Sequence, residues 1–107
     1  MDVTNAVVAA CKEHAGKGPP RAKAYVAPDT VYVVLGDWMT RAERTLMAQG
    51  SQGLVAEMRS TLHDRIADAT RTAVEAATGR TVLAVQTQIE LSRNVATVQF
   101  ILSPAGE

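Results

Sequence analysis

The sequence is poor in several features that would point to a function. It holds one cysteine among 107 residues, which excludes an internal disulfide and fits a reducing compartment. Lysine plus arginine and aspartate plus glutamate both number 11, so the net charge of zero gives no electrostatic footprint for nucleic acid or an acidic membrane. Aromatic residues make up only 4% of the chain, which leaves few side chains for stacking on bases.

Long apolar runs are missing as well. The longest, residues 6–11 and 31–35, are far too short to span a bilayer. The sequence starts Met-Asp-Val without a basic segment, so we expect no signal peptide. With 47% apolar and 21% charged residues, the composition is that of one ordinary globular domain, 1–107. By elimination, we expect a cytoplasmic protein.

Residues 51–79 carry the clearest pattern in the chain. Ser51 is a candidate N-cap, and Gly79 suits the left-handed residue that ends a helix. Between them, apolar residues recur at spacings of three and four, the period of one helical face: Leu54, Met58, Leu62, Ile66, Ala69, Ala73 and Ala77. The pattern predicts one long amphipathic helix of about 39 Å, at roughly 1.5 Å per residue.

This helix is longer than any strand that it could cross. Strands of about eight residues span about 26 Å at roughly 3.3 Å per residue, so the helix must overhang the sheet. We expect its alanine-rich C-terminal half to lie on the sheet. The half that begins with Leu54, Val55 and Met58 then needs cover from a neighbouring helix or a second subunit.

The other elements follow from periodicity and from glycine and proline stops. The predicted elements are helix 3–15, strands 22–27 and 30–35, helix 41–48, and strands 81–90 and 95–102. Thr40 and Glu43 match a capping box at the start of the short helix. Residues 105–107 are expected to fray. The order α-β-β-α-α-β-β predicts an α+β fold, in which a four-stranded antiparallel sheet has its helices packed on one face.

Strand 30–35 is apolar on both faces, which is typical of a strand covered on both sides. Tyr32 and Val34 then form an apolar patch on the sheet face away from the helices, which favours a homodimer. Trp38 follows in a loop, either as a lid on the core or as an exposed anchor for a partner. Leu54 and Met58, on the overhang, complete the candidate partner-binding residues.

Residue types that could carry catalysis do not form a convincing set. Cys11 and His14 lie at i and i+3 on one helix, but the same face carries core valines and no third metal ligand is near, so core packing is favoured. His63, with Arg59 and Asp64, is expected on the solvated face of the long helix. We therefore predict no catalytic residue, no metal site and no cofactor.

A glycine-rich basic stretch, residues 16–23, invites comparison with phosphate-binding loops. It follows a helix C-terminus and contains two prolines, which have no amide to offer, so a solvated turn is favoured. Lys17, Arg21 and Arg80 are the candidate ligands for a small anion or nucleotide, the alternative function. Nucleic-acid binding is a further alternative, although only Tyr25, Tyr32 and Phe100 are aromatic within the strands.

The order of these signals resembles that of a known family. The resemblance covers nearly the whole chain and consists of these segments: Asn5-Ala6-Val7-Val8, Gly16-Lys17-Gly18-Pro19, Ala22-Lys23-Ala24-Tyr25, residues 29–35, Thr40-Arg41-Ala42-Glu43 with Leu46, and the long helix that ends Thr78-Gly79-Arg80-Thr81-Val82. Together they are similar to the MpsC-like family, the Na+-translocating membrane-potential-generating system component.

The resemblance implies a small cytoplasmic accessory protein associated with bacterial ion or bicarbonate uptake. It implies a protein of the transport system as a partner and carries over no catalytic residue. Members of the family often have a stretch rich in aspartate and histidine in the second hairpin. Residues 86–94 read Gln-Thr-Gln-Ile-Glu-Leu-Ser-Arg-Asn and depart from that pattern, since they contain neither histidine nor aspartate.

Overall fold

The computed structural model describes residues 2–104, so the prediction that residues 105–107 fray lies outside the described residues. Its elements are α1 (Val3–Ala15), β1 (Arg21–Ala27), β2 (Thr30–Gly36), α2 (Arg41–Ala48), α3 (Gln52–Thr78), β3 (Val82–Glu90) and β4 (Val95–Leu102). The predicted α-β-β-α-α-β-β order is therefore confirmed, as is the single long helix.

The four strands form one antiparallel sheet in the order β1-β2-β4-β3. The second hairpin therefore joins the first through β4, whose Val98 lies opposite Val33 of β2. Helices α1 and α3 pack against each other and against one face of this sheet, here called the inner face. The opposite face, here called the outer face, carries no helix within residues 2–104.

The core lies between the inner face and the two helices. Alternate residues of β2 and β4 point into it because successive side chains of a strand point to opposite faces. The fully buried residues of these strands are Val31, Val33, Leu35, Ala96, Val98, Phe100 and Leu102. Helix α1 contributes Val3, Val7 and Cys11. The alternation predicted for both strands is confirmed.

Side-chain and glycine caps fix the ends of the helices. Asp2 accepts a hydrogen bond from the amide of Asn5 at 2.7 Å and caps α1. Thr40 and Glu43 form the predicted capping box of α2, with reciprocal bonds of 3.2 and 2.8 Å. Gly79 ends α3 in the left-handed conformation, as expected. Ser51 precedes α3 but makes no side-chain capping bond, so its prediction as a capping hydroxyl is wrong.

The buried face of α3 is not the one that the apolar pattern predicts. Its buried residues are Val55, Arg59, His63, Ile66, Ala67, Thr70 and Val74. Of the predicted stripe only Ile66 is buried, whereas Leu54 and Met58 are 57% and 40% exposed. The helix is rotated by about one residue, so that Arg59 faces inward and pairs with Glu43 of α2.

Strand β3 differs from its predicted pattern at one point. The pairing register shifts between Val82 and Ala84, so Leu83 is an extra residue in the ladder. Because a bulge reverses the alternation beyond it, Val82 faces the core while Leu83 is 62% exposed. The spacing of apolar residues in strand 81–90 predicts that Leu83 shares one face with Val85 and Ile89, and the bulge makes that prediction wrong for Leu83.

Gly53 in α3 and Gly79 directly after its end offer a matched test of backbone strain. A Cβ at either Gly79 or Gly53 would meet no atom within 4 Å, but Gly79 has a φ of +68°. We expect Gly79→Ala to lower the free energy of unfolding by about 1–2 kcal/mol, since an L-residue is strained in that region. Gly53→Ala should raise it by about 0.4–1 kcal/mol through the unfolded chain. Urea denaturation measures both, and equal effects would contradict the assignment of the helix end.

Candidate functional site

A short loop between β2 and α2 carries the first residues of the site. Asp37 adopts a left-handed backbone with φ of 57° and donates its amide to the carbonyl of Asn94 at 2.9 Å. The side-chain oxygen of Asn94 accepts the amide of Met39 at 2.9 Å. The turn between β3 and β4 therefore binds the backbone immediately before and after Trp38. The side chain of Trp38 points into the protein and is only 3% exposed.

A buried ion pair lies beneath this loop. The two carboxylate oxygens of Glu43 accept hydrogen bonds from Nε and Nη2 of Arg59 at 2.5 and 2.7 Å. The side chains of Glu43 and Arg59 are 3% and 4% exposed. The capping box at Thr40 orients the glutamate, since the Thr40 amide donates to the same carboxylate at 2.8 Å. The pair joins α2 to the start of α3.

Trp38 closes the cluster from the loop side. Its carbonyl accepts a hydrogen bond from Nη2 of Arg59 at 3.1 Å, and the guanidinium lies 4.6 Å from the centre of its ring. The ring of His63 meets the indole edge to face at 5.7 Å, with an angle of 82° between the planes. The indole Nε1 of Trp38 and Nδ1 of His63 are buried without a hydrogen-bond partner among residues 2–104. We call Trp38, Glu43, Arg59 and His63 the brace.

The environment shifts the pKa of three titratable groups here. Burial, with the positive charge of Arg59 acting in the same direction, lowers the pKa of His63 to about 4. Burial alone would raise the pKa of Glu43, but hydrogen bonds from Arg59 and Thr40 outweigh it, so the pKa is lowered. Burial raises the pKa of the Cys11 thiol to about 11, partly offset by Arg59. At neutral pH the brace therefore holds one ion pair and a neutral imidazole, beside a protonated thiol.

The brace positions α2 and α3 relative to each other. Its charged and polar groups face one another inside the protein, and each of the four side chains is at most 3% exposed as a residue. A buried bidentate pair is geometrically specific, because the planar guanidinium accepts only one orientation of the carboxylate. The arrangement is suited to holding the overhanging start of α3 in place.

Two apolar surfaces lie outside the core. The first is a groove of about 370 Å³ on the overhang of α3, lined by Leu54, Glu57, Met58, Thr61 and Leu62. Helix α2 covers the Arg59 side of the overhang and leaves this side open. We call it the α3 groove. It is the part of the overhang for which the sequence predicts that a cover is needed.

The second surface is the outer face of the sheet. Tyr25 and Tyr32 stack there with ring centres 5.0 Å apart and remain 39% and 37% exposed. Val34 lies beside them and is half-buried. Tyr32 and Val34 are therefore on the uncovered face, as the strand alternation indicates, and the prediction that they bind a partner stays a prediction.

The three cations predicted to bind an anion do not converge. Arg21 lies at the start of β1 and pairs with Asp37 at 2.9 Å. Arg80 contacts the turn at the other end of β1, where it donates to the carbonyl of Pro28 and to Asp29. Lys17 is exposed in the loop after α1. A single anion site built from all three is not formed, and anion binding stays a prediction.

Burial decides three further expectations. Trp38 is enclosed, so it is a core lid and not an exposed anchor for a partner. Arg59 and His63 are 3% and 1% exposed, so they do not lie on a solvated helix face. Cys11 is buried as expected, whereas His14 is exposed and lies off the core.

The sequence does contain a signal for the brace. Val55, Arg59 and His63 recur at intervals of four, so they share a helical face as regular as the more apolar stripe beside them. Glu43 is marked by the capping box. What local patterning lacks is the pairing of Glu43 with Arg59, 16 residues apart.

The geometry defines a class of protein: a small α+β domain with an enclosed polar brace and with apolar surfaces outside its core. Residues 2–104 match the model of the family described as Na+-translocating membrane potential-generating system (MpsC). The chain therefore belongs to the MpsC family. No curated protein and no solved structure matches the sequence significantly. Within residues 2–104, no helix has both the length and the apolar character needed to cross a membrane.

We expect the buried ion pair to dominate the response to substitution. Glu43→Gln leaves the Arg59 charge without its counter-ion in the core and should lower the free energy of unfolding by about 3–5 kcal/mol. The double variant Glu43→Leu with Arg59→Met should recover much of this loss, because no charge is left buried. Asp37→Asn is the control, since it breaks an exposed pair worth at most about 1 kcal/mol. Urea denaturation showing equal losses in Glu43→Gln and the control would refute the role of the brace.

A pH titration of stability tests His63 separately. The folded pKa of His63, about 4, is lower than its ordinary value of 6.5, so the unfolded chain binds the proton more readily. The free energy of unfolding should therefore fall as the pH drops from 6.5 to 4. The total loss is about 3 kcal/mol, at roughly 1.4 kcal/mol per pKa unit, and His63 adds no further loss below pH 4. The loss linked to Glu43, whose pKa is also lowered, belongs to the range below 4.5.

His63→Leu should remove most of the decline between pH 6.5 and 4, whereas His14→Gln, at an exposed position, should retain it. Unfolding free energies from urea titrations at several pH values measure the effect. An unchanged decline in His63→Leu would show that another group causes it.

Proposed function

We propose that the protein is a non-enzymatic accessory or regulatory component of a bacterial Na+-translocating system. It acts in the cytoplasm as a homodimer that binds a protein of that system, and ion or bicarbonate uptake is the process that it serves. Membership of the MpsC family supports the link to membrane-potential generation. The enclosed positions of Glu43, His63 and Cys11 support a non-enzymatic role, because side chains inside the core do not reach a substrate.

The α3 groove is the observation that carries partner binding. Leu54 and Met58 are 57% and 40% exposed, although burial of such a side chain contributes about 1.5–3 kcal/mol. Both lie on a rigid helix whose start the brace fixes against α2, so little conformational entropy is lost when a partner binds. Methionine adapts its shape to a partner more readily than a branched side chain does. A groove of this kind suits the apolar face of a partner helix.

The outer face supports the homodimer. It carries two stacked tyrosines, a residue type that is enriched at protein interfaces, beside the apolar Val34. The α3 groove belongs to the helical layer on the other side of the sheet. The two surfaces therefore serve different partners: a second copy on the sheet and a protein of the transport system on α3.

A charge placed in the α3 groove should abolish function without unfolding the protein. Met58→Glu introduces a carboxylate into an apolar contact, and we expect bacteria that carry it to lose most of the Na+-dependent membrane potential supported by the wild-type gene. Ser60→Glu is the matched control, because it adds the same charge to an exposed position on another face of α3. A potential-sensitive dye measures the effect, and circular dichroism verifies folding. Equal potentials in the two variants would reject the α3 groove as the contact.

A further inference from the structure

The outer face is a regular grid in which pairing registers align residues of all four strands. Running from β1 through β2 and β4 to β3, its rows are Ala27-Thr30-Ile101-Ala84, Tyr25-Tyr32-Gln99-Gln86, Lys23-Val34-Thr97-Gln88 and Arg21-Gly36-Val95-Glu90. These sixteen residues define the outer face. Because each row runs across the whole sheet, a second sheet that packs on it meets a predictable order of side chains.

The two halves of the outer face differ in their side chains. The β1–β2 half carries the stacked rings of Tyr25 and Tyr32, which remain 39% and 37% exposed. The β4–β3 half contains two shallow depressions. The residues Gln86, Thr87, Gln88, Thr97 and Gln99 line one of about 430 Å³, and Val34, Gln88, Ile89, Glu90, Val95, Ala96 and Thr97 line one of about 300 Å³. The row that carries both tyrosines on one half therefore carries glutamines that line a depression on the other half.

The two halves also differ in charge at one end of the sheet. Lys23 and Arg21 lie on β1, where the ammonium of Lys23 is 5.3 Å from the ring of Tyr25. Arg21 lies across Gly36, whose Cβ position would be 2.6 Å from the guanidinium. Glu90 lies at the end of β3 in the same row as Arg21 and is fully exposed. Lys23 and Arg21, which also pairs with Asp37, thus occupy one side of the outer face, and Glu90 lies on the other side at the level of Arg21.

Face-to-face packing of two copies with aligned strands allows two simple two-fold axes. An axis perpendicular to the strands places β1 on the partner's β1, with Arg21 near the partner's Ala27. An axis parallel to the strands places β1 on the partner's β3 and keeps the rows level. Arg21 and Lys23 then meet the partner's Glu90 and Gln88, and the tyrosine pair lies over the partner's glutamine-lined depression. Only this second arrangement brings opposite charges together and places the tyrosines over the glutamine-lined depression.

We propose that the outer face is the interface between two copies of this chain, related by a two-fold axis parallel to the strands, with each tyrosine pair seated on the β4–β3 half of its partner. This inference rests on the proposed function in its requirement for a homodimer and adds the surface and the register. The sheet edges support face-to-face packing over edge pairing, because Lys23 lies on edge strand β1 and the bulge at Leu83 interrupts edge strand β3.

The area of the outer face determines the affinity that we expect for the dimer. Four strands about 4.8 Å apart and seven to nine residues long give a face of about 19 by 23–30 Å. Two such faces bury about 1,000 Å² in projection, at the lower limit of specific interfaces. We therefore expect a reversible dimer with a Kd on the order of micromolar, rather than an obligate one.

Sedimentation velocity over a range of concentrations tests the surface. The wild-type protein should pass from monomer to dimer, and Tyr32→Ala should raise Kd about tenfold or more, as expected for an aromatic residue at the centre of an interface. Lys23→Glu should raise Kd about three- to tenfold by adding a carboxylate near the partner's Glu90, and adding Gln88→Lys, at the position opposite residue 23, should restore it. Met58→Glu, in the α3 groove, should leave Kd unchanged.

Cross-linking tests the register. Lys23→Cys and Gln88→Cys are made as separate variants, since residues 23 and 88 face each other only across the proposed axis. Sheets pack about 10 Å apart, so a short bismaleimide should join them in the mixture of the two variants and leave each variant alone uncross-linked. The natural Cys11 is 3% exposed, and the wild-type protein serves as the control for its reaction.

The outcomes separate the two proposals. A protein that remains monomeric at every concentration overturns both this interface and the homodimer in the proposed function. A dimer that Tyr32→Ala does not weaken keeps the homodimer and overturns the interface. A dimer weakened by Tyr32→Ala in which the mixture gives no cross-link, or in which a single variant cross-links to itself, keeps the surface and overturns the register.

Discussion

The buried contact between Glu43 and Arg59 governs how the helical layer is built. Removing two opposite charges from water is costly, and only a bidentate geometry with further hydrogen bonds offsets that cost. The protein supplies both: Thr40 donates to the glutamate, and the carbonyl of Trp38 accepts from the arginine. Since Asn94 in turn holds the loop around Trp38, the ion pair connects α2, α3 and the second hairpin through one continuous set of contacts. The ion pair therefore fixes the relative positions of these elements as much as it contributes to stability.

The elements were predictable because their signals are local. Glycine at the end of α3, the Thr40 capping box and the alternation of β2 each act within a few residues, and each appears where the sequence indicates. The buried face of α3 was not predictable from the same pattern. Arg59 counts as a surface residue until Glu43, 16 positions away, neutralises it. Patterning by hydrophobicity therefore errs where burial depends on a distant partner.

The same distinction between local signals and distant partners decides which candidate surfaces could be predicted. Strand alternation is sufficient to place Tyr32 and Val34 on the outer face, and the comparison of helix and strand lengths is sufficient to expose Leu54 and Met58 on the overhang. Trp38 could be assigned in neither way, because its loop obeys no period. Its burial depends on Asn94 and Arg59, which come from other parts of the chain. The charge pattern of the outer face likewise requires the strand order β1-β2-β4-β3, which the order of elements alone does not give.

The two surfaces can operate together because they lie on opposite sides of the sheet. In a dimer joined through the outer faces, both helical layers point outward, so each copy presents its own α3 groove. A partner with two binding segments, or two neighbouring subunits of one membrane complex, then gains from the second contact by effective concentration without any new interface. Because the Kd of the dimer is on the order of micromolar, that gain depends on protein concentration. The brace contributes to this arrangement by keeping each α3 groove at a fixed position relative to the sheet through which the copies are joined.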